Sequence, residues 1–279
     1  MLIKLMKYEW KATWKACAII NFFTVFATIL GVFAMKSLQN GILHKDQFTY
    51  IAVILFVFYY LSIIGVSFSM SIYIGVRFYC NLYTDEGYLM HTLPVTKRQL
   101  VLSKLLIHTV CTMITQVLLV LSICVMMFPL LALLLDEPAL SAPMTMLAKS
   151  IQEATGAMGI SLPAFFLCSM IAAVIGQTSG ILSIYCAISL GQTFHRHKVM
   201  GSILCYIGIY CLIQTATTIL TMPQMYAHTS QMESLSVINT HASAYLYSML
   251  LSISVESLFI GIACYILTLH LMNKKLNLQ

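Results

Sequence analysis

Six apolar stretches, each long enough to cross a bilayer, constrain this chain more than any other feature. They lie near residues 16–35, 51–76, 101–128, 162–190, 199–221 and 246–271. Hydrophobic residues make up 60% of the chain and charged residues only 9%, whereas a soluble domain carries about 25% charged residues. So few charges cannot cover a soluble protein of this size. We therefore predict a single transmembrane domain, an all-α polytopic fold with six transmembrane helices.

The lysines and arginines predict the orientation of these helices. If both termini are cytoplasmic, all but three of the 15 basic residues lie inside, the exceptions being Lys36, Lys45 and Lys149. The positive-inside rule favours this arrangement, which makes residues 129–161 and 222–245 extracellular loops. The net charge of +6 then reflects topology. We expect no nucleic-acid binding, because no basic patch with interleaved aromatic residues occurs outside the apolar stretches.

The first 15 residues have the pattern of an amphipathic helix lying in the membrane interface. Trp10 and Trp14 fall on a mostly apolar sector, and tryptophan favours the depth of the lipid headgroups. The lysines occupy a neighbouring sector: Lys4, Lys7, Lys11 and Lys15. This N-terminal interfacial helix would anchor the chain to the bilayer or contact a partner.

The segment between the second and third stretches, residues 77–104, contains two predicted helix starts. Thr84 can cap a short helix whose first turn is acidic, which complements the helix dipole. Thr96 followed by Gln99 fits a capping box for the third membrane helix. Pro94 prevents one continuous helix through the join. We therefore expect a separate short helix in this cytoplasmic loop.

This short helix would carry Tyr88, Leu89 and Met90 at the surface of the membrane domain. Apolar side chains on a surface segment need a partner that buries them. The partner is either the ends of the protein's own helices or a separate soluble protein.

The same segment, with its core DEGYLMHTLPV, resembles permease subunits of type-2 ATP-binding-cassette (ABC) transporters of Gram-positive bacteria. Three further stretches are similar to that family: LMKYEWKATWK near the start, FHRHKVMGSILCYIGIY at residues 194–210, and LMNKKLNLQ at the end. The resemblance follows the whole chain in order and spacing. His91 departs from it, since relatives often carry a large apolar residue there.

The resemblance implies a permease of the bacterial plasma membrane, most simply an exporter, that pairs with a second permease subunit, identical or homologous. It also implies a cytoplasmic ABC ATPase subunit that receives a coupling helix from this chain. Carried onto this sequence, the coupling helix comprises Thr84, Asp85, Glu86, Gly87, Tyr88, Leu89 and Met90.

The sequence contains no GxxxxGK[ST] phosphate loop, the motif that cradles nucleotide phosphates. We therefore expect no enzymatic activity and no cofactor in this chain. ATP and Mg would bind the partner ATPase subunit.

Two further groups of residues are candidate sites. A second cytoplasmic contact would lie before the fifth stretch, at His195, Arg196, His197 and Lys198; the alternative is a simple topology signal. A translocation path would involve Glu256, Gln177 and Ser69, because intramembrane carboxylates are costly and often functional. Glu256 could also serve structural hydrogen bonding near the outer boundary of a helix that starts late. Gly176 and Gly180, which flank Gln177, favour close helix packing or a polar stripe.

Two other functions remain open at this stage. An ion-coupled secondary transporter would need buried charges or broken helices in its core, and Glu256 is the one candidate. A non-transporting scaffold or sensor would use the cytoplasmic loop to dock a different soluble partner.

Overall fold

A computed structural model describes residues 2–39, 46–84, 95–134, 145, 148–149, 152, 162–194, 196–231 and 238–274. Within these ranges the chain forms six long helices and no strand. The helices are α1 (Leu2–Gln39), α2 (Asp46–Tyr83), α3 (Lys97–Leu134), α4 (Leu162–Gly191), α5 (Lys198–Gln231) and α6 (Ile238–Lys274).

Each helix is long and apolar enough to cross a membrane. The candidate spans are Leu2–Ser37, Val53–Tyr83, Lys97–Pro129, Phe166–Gly191, Lys198–Tyr226 and Ser248–Asn273. The prediction of an all-helical, multi-pass membrane fold is confirmed at this level. Helices α1, α2 and α3 have 38 residues each, which corresponds to about 57 Å at 1.5 Å per residue. They are therefore longer than a hydrocarbon core of about 30 Å.

The N-terminal segment differs from the expected separate interfacial helix. Its residues continue without a break into the first span, within α1, and an independent helix in the interface is not confirmed. The four predicted lysines are exposed, meaning that no other part of the chain covers them. On another side of the helix, Glu9 and Thr13 are buried, and the Thr13 hydroxyl donates to the Glu9 carbonyl at 2.7 Å.

Both predicted outer loops are shorter than the sequence indicated. Helix α3 continues through Pro129, and α5 continues through Pro223. A proline interrupts one backbone hydrogen bond, but membrane helices tolerate this when neighbouring groups satisfy the freed carbonyl. As a result, residues 222–231 and 238–245 of the predicted second loop belong to α5 and α6.

The chain divides into two compact units, which are described separately. Unit 1 contains Met1–Met6, Ile74–Thr109 and Ser150–Gln279, and unit 2 contains Lys7–Tyr73 and Val110–Lys149.

Unit 2 has a core built around the buried ring of Tyr59, which packs against Met35 and Met126. Gly31 makes room for this ring, because a Cβ there would lie 3.1 Å from Tyr59 Cγ. The Ser122 hydroxyl lies 2.9 Å from the Tyr59 hydroxyl and 2.7 Å from the Thr28 hydroxyl. Hydrogen bonds between three helices thus supplement apolar packing, which is the usual way that membrane helices associate.

Unit 1 is organised around α4, which packs against both α5 and α6. At the α4–α5 turn, a Cβ on Gly191 would lie only 2.5 Å from the backbone of Ser202. Earlier on α4, Ser179 packs against Gly261 of α6: a Cβ on Gly261 would lie 3.5 Å from the Cα of Ser179. Gly176 and Gly180, by contrast, have nothing within 4 Å of such a Cβ. The two glycines of the GxxxG motif therefore make no close helix contact among the described residues.

Candidate functional site

An open groove of 430 Å³ lies between α5 and α6 in unit 1. Leu220 contributes its wall on α5, and residues on one face of α6 form the remainder: Leu251, Ser252, Val255, Glu256 and Phe259. The four apolar side chains are all exposed, whereas Glu256 is 8% exposed. The groove therefore combines an apolar surface with one buried carboxylate.

Glu256 occupies the middle of α6, equally distant in sequence from Ile238 and Lys274. The helix begins early, at Ile238, so the late start considered from the sequence is wrong, and the position of Glu256 relative to the membrane boundary stays a prediction. The residue also falls inside the candidate span Ser248–Asn273. It lies roughly 12 Å along the helix axis from the start of that span, at 1.5 Å per residue.

The Glu256 carboxylate accepts one hydrogen bond from a side chain among the described residues. Its donor is the Thr217 hydroxyl of α5, at 3.0 Å. The same hydroxyl also lies 2.9 Å from its own helix carbonyl, Ile213 O. A hydroxyl has one proton to donate, so the carboxylate shares that proton with the backbone. Two carboxylate oxygens can accept about four hydrogen bonds, and most of this capacity is unused.

One turn earlier on α6, Ser252 extends the polar contact between the two helices. Its hydroxyl lies 3.5 Å from Gln224 Oε1 of α5 and 2.9 Å from its own helix carbonyl, Met249 O. Because this hydroxyl donates its proton to the backbone, it does little to stabilise the Glu256 carboxylate.

The groove offers few ligands for a metal ion. No group of three or more His, Cys, Asp or Glu side chains that could hold a metal occurs within the described ranges. Hard cations such as Ca²⁺ take six to eight oxygen ligands, whereas only Glu256 and two hydroxyls stand at this position.

A second polar cluster lies in unit 1, where the ends of α2 and α3 meet α4. His108 Nδ1 is 2.5 Å from the Tyr185 hydroxyl, and both residues are fully buried. The Tyr185 ring stacks on Phe78, with centroids 3.8 Å apart and planes at 9°. Next to this stack, the hydroxyls of Tyr83 and Ser189 are 2.9 Å apart.

Sequence reasoning did not find this cluster. The one local signal was a histidine, His108, within the third apolar stretch. Lys104 had instead been assigned to the set of cytoplasmic charges, but it is 1% exposed in α3. Likewise, Glu256 had been considered the only acid in a span, whereas Glu9 is buried within the first one.

The predicted coupling helix falls mostly outside the described residues. Asp85, Glu86, Gly87, Tyr88, Leu89 and Met90 are not described, so their assignment stays a prediction. Thr84 is described, and its hydroxyl donates to the Cys80 carbonyl at the end of α2.

The capping box at the start of α3 is confirmed. The Gln99 amide donates to Thr96 Oγ1, and the Thr96 amide donates to Gln99 Oε1, both at 3.3 Å. These reciprocal bonds satisfy two amides that the helix itself leaves without acceptors.

The candidate second contact lies in the short connection between α4 and α5. Arg196 and His197 are exposed, Lys198 is half-buried, and His195 lies outside the described residues. The His197 carbonyl accepts the Gly201 amide at 2.8 Å, which closes the first turn of α5. The described side chains thus face outward at one end of unit 1, as a surface contact requires.

The three residues predicted for a translocation path have different surroundings. Glu256 lines the groove, and Gln177 is half-buried on α4, also in unit 1. Ser69 lies in unit 2, where it is exposed and its hydroxyl donates to Gly65 O at 2.7 Å. A serine whose hydroxyl bonds its own helix has its hydrogen-bonding need largely met, so Ser69 gives little support for a polar path.

Searches against protein families, curated proteins and solved structures find no match to this chain.

Proposed function

We propose that this chain is the membrane-spanning permease subunit of an ABC transporter, an exporter driven by a separate cytoplasmic ATPase chain. Two features support this function. The chain has six helices long enough to span a membrane, and its sequence contains no phosphate loop. A protein of this kind moves a substrate across the membrane but takes its energy from a nucleotide-binding partner.

The observation that carries the proposal is the sequence DEGYLMHTLPV between α2 and α3. Both helices are long enough to extend beyond the hydrocarbon core, and the segment lies between their adjacent ends, Tyr83 and Lys97. A cytoplasmic loop at this place in the chain would offer Tyr88, Leu89 and Met90 to a soluble partner. ATP binding would close two ATPase subunits, and this segment would pass the motion to the helices.

One hydrogen bond in unit 1 offers a route for that motion. Lys97 Nζ, in the first turn of α3, donates to the Met272 carbonyl in the last turn of α6 at 2.7 Å. A displacement of the coupling segment that moves the start of α3 would therefore also pull on α6. Because α6 carries Glu256, the energy source and the groove would be connected through one helix.

The decisive experiment is identification of the partners that copurify with the tagged chain after gentle solubilisation from its own host. We expect a stoichiometric small protein that carries a phosphate loop. Absence of any ATPase across several detergents would remove the support for this function.

A pair of variants tests the coupling segment directly. Tyr88→Glu with Leu89→Glu should leave membrane insertion intact and reduce stimulated ATPase activity to the level of the ATPase alone, because charged side chains cannot enter an apolar groove. The matched control is Tyr88→Phe with Leu89→Met, which keeps an apolar side chain at both positions. Full stimulation in the Tyr88/Leu89 variant would contradict the assignment.

A second candidate function, ion-coupled secondary transport, is favoured by one observation. Glu256 is a buried carboxylate with a single, shared hydrogen bond, and such groups mark proton and ion pathways in membrane proteins. Transport that stops when the ion gradient is dissipated, while ATP remains available, would favour this function over the first.

A further inference from the structure

We propose that the groove between α5 and α6 binds an amphipathic organic cation, whose positive group pairs with Glu256 and whose apolar body covers the exposed wall. All the residues that form this site belong to this chain, so binding does not depend on a partner subunit. The additional step, that such a cation is the transported substrate, rests on the proposed function.

The sparse hydrogen bonding of the buried Glu256 carboxylate is the first reason for this inference. The carboxylate is 8% exposed and lies inside a candidate span. Its one side-chain hydrogen bond comes from a Thr217 proton that the Ile213 carbonyl also attracts. Buried charges in proteins are normally paired with an opposite charge or fully hydrogen-bonded. Glu256 has neither among the described residues, so the site is complementary to a positively charged group.

The position of Glu256 on the wall of the groove is the second reason. A cation that enters the space can reach the carboxylate, because the residue itself lines the cavity. The volume of 430 Å³ falls within the roughly 300–1,000 Å³ that is typical of small-molecule sites. The space therefore suits a compact organic molecule rather than a bare ion.

The rest of the lining determines the class of cation. Leu220, Leu251, Val255 and Phe259 present apolar surface beside the carboxylate, and Phe259 is 68% exposed. An aromatic ring attracts cations through its face and also contributes a large hydrophobic area. A hydrated metal ion would lose its water on this surface without gaining enough oxygen ligands. An ammonium or phosphonium group attached to apolar substituents can use both the carboxylate and the wall.

Binding of tetraphenylphosphonium to the full chain in lipid nanodiscs tests this inference. Empty nanodiscs measure partition into lipid, and tetraphenylborate, an anion of nearly the same size and shape, tests charge recognition by the chain. We expect saturable binding of about one tetraphenylphosphonium per chain and no saturable binding of tetraphenylborate.

Three variants identify the site. Glu256→Gln keeps the shape of the side chain and removes its charge, so binding should weaken at least about tenfold. Leu251→Ala should weaken binding several-fold because it removes apolar wall. Leu258→Ala is its control, since both leucines lie on α6 and are 46% and 44% exposed, but only Leu251 lines the groove. Glu256→Asp, which keeps the charge, should retain measurable binding if Glu256→Gln is poorly folded.

Three results would overturn the inference. Equal saturable binding of tetraphenylphosphonium and tetraphenylborate would mean that the site does not recognise positive charge. Unchanged affinity in Glu256→Gln, or equal losses in Leu251→Ala and Leu258→Ala, would place binding elsewhere. Displacement of tetraphenylphosphonium by millimolar Na⁺ or Ca²⁺, dependent on Glu256, would assign the site to an inorganic cation. Because the assay contains no ATPase, each of these results leaves the copurification test of the ABC permease proposal unaffected.

Discussion

The connection between α4 and α5 allows a stability prediction in which the same substitution has opposite consequences at two positions of one helix. Gly191 ends α4, and its backbone lies against Ser202 in the first turns of α5. Gly176 lies earlier on α4, with nothing within 4 Å of the position where a Cβ would stand. We expect Gly191→Ala to destabilise unit 1 and Gly176→Ala to leave it unchanged or slightly more stable.

The expected magnitude follows from the contacts at Gly191. A Cβ there would lie 2.0 Å from Ser202 Oγ and 2.5 Å from the Ser202 Cα and amide nitrogen. Rotation of the serine side chain relieves the first contact, but the backbone contacts require α5 to move by about 1 Å to reach ordinary van der Waals separation. Overpacking of this kind typically costs about 1–3 kcal/mol. That cost corresponds to a decrease in Tm of roughly 2–12 °C.

Thermal unfolding followed with a fluorogenic maleimide measures this difference without a substrate. Once the five less buried cysteines are replaced by alanine, four buried thiols report unfolding because they react only when the helices separate: Cys186 and Cys264 in unit 1, and Cys17 and Cys111 in unit 2. Gly176→Ala provides the matched control, because alanine gains up to about 1 kcal/mol of helix propensity over glycine and meets no neighbour. A Tm for Gly191→Ala equal to or above that of Gly176→Ala would refute the close approach of α4 and α5 at this turn.

Two further predictions concern buried hydroxyls and use the same assay. Ser122→Ala removes the group that bonds both Thr28 and Tyr59 in unit 2, and it should cost about 1 kcal/mol, since hydrogen bonds between membrane helices average about 0.6 kcal/mol each. Tyr185→Phe keeps the stacked ring but removes the 2.5 Å contact with His108, and it should cost up to about 1.7 kcal/mol, the upper end of that range.

Less buried residues of the same types, a half-buried serine and an exposed tyrosine, provide the controls for these two variants. Ser169→Ala removes a hydroxyl whose bond is to its own helix, to Phe166 O at 2.9 Å. Tyr210→Phe removes the hydroxyl of a side chain that is 57% exposed. Both should shift the Tm by less than their buried counterparts. Equal shifts in a buried and a less buried member of either pair would mean that the contacts between helices contribute nothing measurable.

The features predicted correctly from the sequence are those that depend on neighbouring residues. An apolar stretch is a local property, so the six helices could be located before the structure was known. The capping box is also local, because Thr96 and Gln99 are three residues apart and bond each other's amides. The pattern alone therefore fixes both the position and the geometry of the start of α3.

The features that the sequence did not predict depend on contacts between distant residues. Tyr185 meets His108 across 77 positions of the chain, and no local pattern indicates that pairing. Pro223 was predicted to follow the end of a helix, but α5 continues through it. Whether a proline ends a membrane helix depends on whether other groups satisfy the freed carbonyl, and the local sequence does not show this. Gly176 and Gly180 formed a recognisable packing motif, yet the close glycine contact on α4 occurs at Gly191. A glycine motif permits close packing of two helices, but the contact forms only where a neighbouring helix lies against it.

The carboxylate in the middle of α6 also affects how this helix enters the membrane. An acid at the centre of a helix costs about 2.5–3.5 kcal/mol during insertion by the translocon, whereas each leucine, isoleucine, phenylalanine or valine contributes about −0.3 to −0.6 kcal/mol. Such residues occur throughout Ser248–Asn273, including Leu250, Ile260 and Ile266. Twelve such residues contribute about −3.6 to −7.2 kcal/mol in all, which exceeds the cost of one acid but is comparable to the cost of two. Helix α6 therefore tolerates one intramembrane charge and little more, so a second acid in this span should be selected against during biogenesis, before folding or transport begins.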